Sequence, residues 1–192
     1  MRIGQIRHQN NTTAAIFEAD GSARPIPDYT VYDLIRLAEL EGNSLAKVAG
    51  RLASKGSQAA TPIIPLHPKE VWACGCTYQS SAAFRDAEHG TREGFYAHVH
   101  TSPRPEIFSK GGARVCVGPN QPIGIRFDSK FTAPEPELAL ILGSRGAIVG
   151  YTIANDVSAW DIERENPLYL PQSKVFTEPD FTAFAIALVG RH

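Results

Sequence analysis

The sequence has no surplus of charge, few cysteines and no long apolar run. Its 192 residues carry a formal net charge of −1. A near-neutral chain offers no electrostatic basis for binding DNA, RNA or an acidic membrane surface, so neither nucleic acid nor membrane is expected as a partner. No apolar stretch approaches the roughly 20 residues that a membrane-spanning helix needs. The N-terminus, Met1-Arg-Ile-Gly-Gln-Ile-Arg-His8, lacks the apolar centre of a signal peptide. Cys74, Cys76 and Cys116 make an odd number with no disulfide framework, and a reducing cytoplasm is the default location. Cys74-x-Cys76 and His98-x-His100 are too closely spaced for an ordinary structural zinc site, so the thiols are read as buried side chains. No internal repeat or low-complexity tract is visible.

What is present is globular composition, 43% hydrophobic, long enough for a sizeable core or two small units. Arg2 to Ile6 and Thr13 to Glu18 read as strands around a polar turn at Asn10-Asn11. Thr30 is a candidate N-cap with Asp33 three residues on, close to a capping box. Val31, Leu34, Ile35 and Ala38 follow at helical spacing, and Gly42 ends the run. A second helix carries Leu45, Val48, Ala49 and Leu52 on one face, with Gly56 as its stop. The segment Gly56 to Pro68 holds three prolines without a period and reads as a linker. The expected division is a small N-terminal domain with its linker over residues 1–66 and a β-rich second domain over 67–192. Residues Gln79 to Ser102, polar and containing Arg85, His89, His98 and His100, read as a long loop with a helix or as a lid over a site.

One stretch carries chemistry: Ala133-Pro-Glu-Pro-Glu-Leu-Ala-Leu-Ile-Leu142. Alternate residues of a strand share a face, so Glu135 and Glu137 lie side by side, and like charges there are destabilising without a cation. Gly143-Ser-Arg-Gly146 is a turn signal, and Ala147 to Ala154 is a second strand, so the segment is a hairpin. With the turn centred between Ser144 and Arg145, Glu137 faces Thr152 and Glu135 faces Ala154. Asp156 then lies one step beyond on the same face. Three carboxylates without thiolate or imidazole make a hard oxygen site, suited to Mg²⁺ or Mn²⁺, with Ca²⁺ as a third choice, over zinc or copper. The plain alternative is a pair of solvated edge residues, which Pro134 and Pro136 would suit.

The segment Ile148 to Lys174, with Pro134-Glu-Pro-Glu-Leu-Ala139, Asn155-Asp-Val-Ser158 and Leu170-Pro-Gln-Ser-Lys174, resembles the fumarylacetoacetate hydrolase family. The resemblance implies a mixed α+β, β-rich fold: a small N-terminal α/β unit plus a β-roll catalytic domain. It implies a divalent metal, usually Mg²⁺, on Glu135, Glu137 and Asp156, with Lys174 as a catalytic lysine in the same pocket. It reaches back to Trp72-Ala-Cys-Gly-Cys-Thr-Tyr78. The hydrolase branch has a histidine three residues after this tyrosine; here the position is Ser81. Ser81 and Pro105-Glu-Ile-Phe-Ser-Lys110 resemble instead the 2-keto-3-deoxy-aldonate dehydratases, with Glu106 as the implied pocket acid. Ser81 and Arg85 are then the candidate substrate contacts, Arg85 reaching a distal hydroxyl or carboxylate.

Two departures stand out. The family usually has arginine where this chain has Trp160, which keeps bulk and loses a charged donor fork. The resemblance also stops near residue 176, as if the last third of the fold were missing. The expected activity is a Mg²⁺-dependent dehydration of a 2-keto-3-deoxy sugar acid, the metal chelating the 2-keto carboxylate. Glu106 would serve as acid or base, and Lys174 would hold the carboxylate or move a proton. Two alternatives are a C–C bond hydrolase of acylpyruvate-type substrates, with His89 the nearest lid histidine, and an inactive fragment. A homodimer is the expected assembly.

Overall fold

The computed structural model describes residues 1–75, 98–99, 101–174 and the short strand at 185–187. Strands β1 (Arg2–His8), β2 (Asn11–Phe17), β3 (Ser22–Ile26) and β4 (Gln58–Ala59) form an antiparallel sheet in that order. The β1–β2 turn is Gln9-Asn10, both at positive φ, one residue earlier than the polar pattern indicated. Helices α1 (Val31–Glu41) and α2 (Leu45–Leu52) pack on the sheet. The α1 capping box is formed: Thr30 Oγ1 accepts from the Asp33 amide, and Asp33 accepts from the Thr30 amide. Gly42 ends α1 in the left-handed conformation that glycine adopts without strain. Helix α2 stops at Leu52 with an extended Ala53, before Gly56 is reached.

Gly56 to Pro68 is not a free linker. Gln58 and Ala59 pair with β3, the Ile63 amide bonds to the Gln5 carbonyl, and Ile64 and Leu66 are buried. Buried Gln5 ties this strap down: its amide donates to the Ile64 carbonyl at 2.9 Å and its oxygen accepts from Val31 N. The strap satisfies backbone groups that a loose linker would leave to water.

Strands β5 (Val71–Cys74) and β6 (Ile107–Gly111) pair next, followed by β7 (Thr132–Ala133), β8 (Pro136–Leu142), β9 (Ile148–Asn155) and β10 (Ser158–Ala159). β10 pairs with β7, and β11 (Ala185–Ala187) adds to the far edge of β9. Two short helices, α3 (Trp160–Glu165) and α4 (Leu170–Ser173), lead up to Lys174.

The β8–β9 hairpin forms as expected, but its register is two residues away from the expected one. Glu137 faces Ala154 and Leu138 faces Ile153. The cause is the turn: Gly143 N bonds to Ala147 O, Gly146 is left-handed, and Val149 is an extra residue between the pairs Leu142–Ile148 and Ile141–Gly150. A shift of two preserves every face, whereas a shift of one would have inverted them all. Ile141 and Val149 join the core formed under α1 and α2. The opposite face carries Leu138, Leu140 and Leu142 beside Tyr151 and Ile153, all at least 37% exposed.

Candidate active site

The corrected register brings two of the three acids closer than expected. Glu135 now lies across from Asp156: the Asp156 amide donates to the Glu135 carbonyl at 2.7 Å. The Glu135 amide is taken by the Asn155 side-chain oxygen at 2.9 Å. The backbone thus locks the two carboxylates opposite each other where the hairpin opens.

Between them lies an ammonium. Lys174 Nζ is 2.8 Å from Glu135 Oε2 and 3.2 Å from Asp156 Oδ2. It also donates to Ser158 Oγ, whose own hydroxyl donates to the Asp156 carbonyl. The Phe108 ring lies 5.7 Å from the same nitrogen. The lysine reaches this point because α4 places it immediately after buried Leu170 and Ser173, its own amide bonding back to Pro171. Burial alone would push its ammonium down, but Asp156, Glu135 and Glu163 outweigh that and hold it above the ordinary lysine range.

A second cation sits behind Asp156. Lys110 Nζ is 2.6 Å from Asp156 Oδ1, and it donates to the Val157 carbonyl at 2.8 Å. Burial pushes this lysine down, and Asp156 only partly restores it. Phe108 and Lys110 alternate on the buried face of β6, with Glu106 the next residue of the same parity. Glu106 itself is exposed, its carboxylate lying over Gly75, where any side chain would collide with it. It marks the rim rather than the floor of the cluster.

The residues assigned from the sequence therefore separate. Glu135, Asp156 and Lys174 are brought together. Glu137 is partly buried and shares the face two residues along. Ser81 and Arg85, like His89, lie outside the described residues. Among the described residues, no three His, Cys, Asp or Glu side chains converge closely enough to hold a metal ion as they stand. The donor set nevertheless fits a hard divalent cation. Glu135, Asp156 and Glu163 set three carboxylates against the ammoniums of Lys110 and Lys174, leaving negative charge over before Glu137 is added. The point between Glu135 and Asp156 already holds a positive group.

Four participants were not read from the sequence as members of the site. Lys110 was visible as a lysine alternating with Phe108 in an apolar strand. Glu163, on α3, is 1% exposed and within the field of Lys174. Ser158 gave no signal. Trp160 retains one donor: its indole N–H donates to Glu135 Oε1 at 2.5 Å. α3 begins at Trp160, four residues beyond Asp156, so lysines rather than helix amides stand against that carboxylate. Cys74, expected to be buried, is exposed at the end of β5.

Comparison with known proteins gives this cluster a context. No family model matches the chain. It is 38% identical over 174 residues to a probable 2-keto-3-deoxyxylonate dehydratase of Haloferax volcanii, covering 88% of this chain and 58% of that protein. It superposes with a TM-score of 0.69 on a 2-keto-3-deoxy-D-arabinonate dehydratase complexed with magnesium and 2,5-dioxopentanoate, at 30% identity, covering 97% of this chain and 64% of that one. Over the length it covers, the chain is similar to sugar-acid dehydratases, and its fold is like that of the fumarylacetoacetate hydrolases. A fumarylacetoacetate hydrolase from Exiguobacterium antarcticum shares the fold with a TM-score of 0.61 at 21% identity over 92% of this chain and 62% of that one. The chain thus spans about three-fifths of the length of these relatives. The strand-rich mixed fold expected from the sequence is the fold observed. Among the described residues no helix is long and apolar enough to cross a membrane.

Proposed function

We propose that the chain carries the site of a metal-dependent lyase that removes water from a 2-keto-3-deoxy sugar acid. The observation that carries this reading is the convergence of Glu135 Oε2 and Asp156 Oδ2 on one cation position, in a chain related to dehydratases. Glu135, Glu137 and Asp156 would hold a Mg²⁺ or Mn²⁺ ion, which would supply a Lewis acid for the 2-keto carboxylate.

The chain's own residues divide the remaining work. Lys174, with Nζ 2.8 Å from Glu135 and 3.2 Å from Asp156, stands beside the cation position and is assigned as the proton donor. It supplies the proton that lets the C4 hydroxyl leave as water. Glu106, at the rim on the face of Phe108 and Lys110, takes the C3 proton and returns it through solvent, so the net change is loss of one water. Phe108 shields one side of the lysine, strengthening its interactions in a drier environment. Ser81 and Arg85 are assigned to substrate contact, Arg85 at the distal end, and the active assembly to a homodimer in the cytoplasm.

Thermal unfolding of the whole chain with and without millimolar Mg²⁺, beside a Glu135→Ala/Glu137→Ala variant, tests the site. A ligand that binds only the folded state raises the midpoint. A Mg²⁺-dependent rise lost in the variant is expected, together with release of water from a 2-keto-3-deoxy pentonate by the wild type. A cooperative transition blind to Mg²⁺ rejects the carboxylate site.

A further inference from the structure

Each of the two paired carboxylates has one oxygen turned toward Lys174 and the other held from behind. Asp156 presents Oδ2 to Lys174 while Oδ1 faces Lys110. Glu135 presents Oε2 to Lys174 while Oε1 takes the indole N–H of Trp160. Trp160 is itself fixed at two further points. Its amide donates to the Phe131 carbonyl at 3.0 Å, continuing the β7–β10 pairing, and its ring packs at 5.7 Å against Phe131.

We propose that Trp160 is a positioning residue that aims Glu135 at the cation position, a role that rests on the cation reading of the Glu135–Asp156 pair. A carboxylate on a glutamate side chain has a soft terminal torsion, so its inner oxygen is directed only if the outer one is anchored. The indole N–H is a single donor without an acceptor and without charge. It therefore orients Glu135 without adding a third positive group to a cluster that already contains Lys110 and Lys174. The backbone bond to Phe131 and the ring contact hold the indole, so its direction is set by β7 and β10 rather than by the carboxylate it serves.

Outer partners of metal-ligating groups typically govern 10- to 100-fold of metal affinity. The test uses the whole chain and two readouts. The chain has two tryptophans, Trp72 and Trp160, so its proton–nitrogen spectrum has two indole signals, which Trp72→Phe, at an exposed position, assigns. Glu135→Gln is expected to move the Trp160 signal and leave that of Trp72 in place, and Mg²⁺ added to the wild type is expected to move the Trp160 signal. Calorimetric titration is expected to show Trp160→Phe binding Mg²⁺ about tenfold more weakly than wild type. Phenylalanine keeps the ring against Phe131, so a residue that only packs would leave this affinity unchanged.

Wild-type binding with equal affinity in Trp160→Phe overturns the proposal while leaving the cation site intact. An indole signal indifferent to Glu135→Gln overturns it within the tryptophan-containing scaffold, even if Trp160→Phe does not fold. A wild type that takes up no Mg²⁺ overturns the cation reading and the positioning role with it.

Discussion

Lys110 and Asp156 form an ion pair almost closed to solvent: their charged atoms are 2.6 Å apart, and the two side chains are 1% and 6% exposed. The pair joins β6 to the segment after β9, so it fixes the floor of the site as well as its charge. Removing one partner of a buried pair costs about 3–5 kcal/mol, and without Lys110 the Asp156 carboxylate keeps only Lys174, at the longer distance of 3.2 Å. Lys110→Met is expected to lower the melting temperature by roughly 6–20 °C for a chain of this size. Lys110→Met combined with Asp156→Leu should recover only part of that loss, because Asp156 also faces buried Lys174 at 3.2 Å and its removal takes that partner away. Calorimetric unfolding of the two variants gives the comparison. A double variant no more stable than the single one would show that the segment depends on the charges themselves.

The outer face of the β8–β9 hairpin leads to a second prediction. Leu138 and Leu140 face Ile153 and Tyr151 across the strands, and all four are exposed. Contiguous apolar surface of this kind drives association. Leu140→Lys is expected to reduce self-association in sedimentation measurements while changing stability by less than about 0.5 kcal/mol, as an exposed substitution should. A large fall in melting temperature would mean that the face is covered in the folded chain.

Much of this architecture was legible because its signals are local. The Thr30 capping box, the α1 stripe of Val31, Leu34, Ile35 and Ala38, and the Gly42 stop depend on neighbours within a few residues. The strap from Gly56 to Pro68 was misread because its order comes from Gln5, some sixty residues away, and composition cannot announce that partner. The hairpin register failed at one bulged residue, Val149, yet the shared face of Glu135 and Asp156 survived because strand faces repeat every two residues. The acids were found by charge in an apolar context. Lys110 showed itself only as a lysine alternating with Phe108, while the serine under Lys174 and the indole on Glu135 serve another side chain and leave no periodic mark.

Cys116 offers a chemical check on burial. Removal from water pushes its thiol up to about 11, with Lys110 opposing only in part. The thiolate is the reactive form, so at pH 8 only on the order of one in a thousand Cys116 side chains is available. In a Cys76→Ser background, Cys74, exposed on β5, should be alkylated first and Cys116 at least about a hundredfold more slowly. Labelling of Cys116 should accelerate on adding urea. Equal rates by mass spectrometry in native buffer would show that the packing around Ala154, Ala139 and Cys116 is open.

The contact between Glu39 and Ser144 predicts a pH effect of definite sign. Glu39 Oε1 accepts the Ser144 amide at 2.6 Å, joining α1 to the hairpin turn, and Oε2 accepts from Arg36 at 2.9 Å. The Ser144 amide, with lesser help from Arg36, holds this carboxyl below its usual 4.5 despite partial desolvation. A carboxylate whose folded-state pKa is depressed adds stability above its unfolded-state value and loses it as pH falls through the depressed one. Glu39→Gln is therefore expected to unfold at lower urea than wild type near neutrality. That gap should narrow as the medium is taken from about pH 6 to about pH 3, because protonated Glu39 and glutamine accept the amide with similar strength. Urea midpoints for both proteins across this range provide the measurement. A gap independent of pH would assign the loss to the side-chain exchange itself and not to the charge on Glu39.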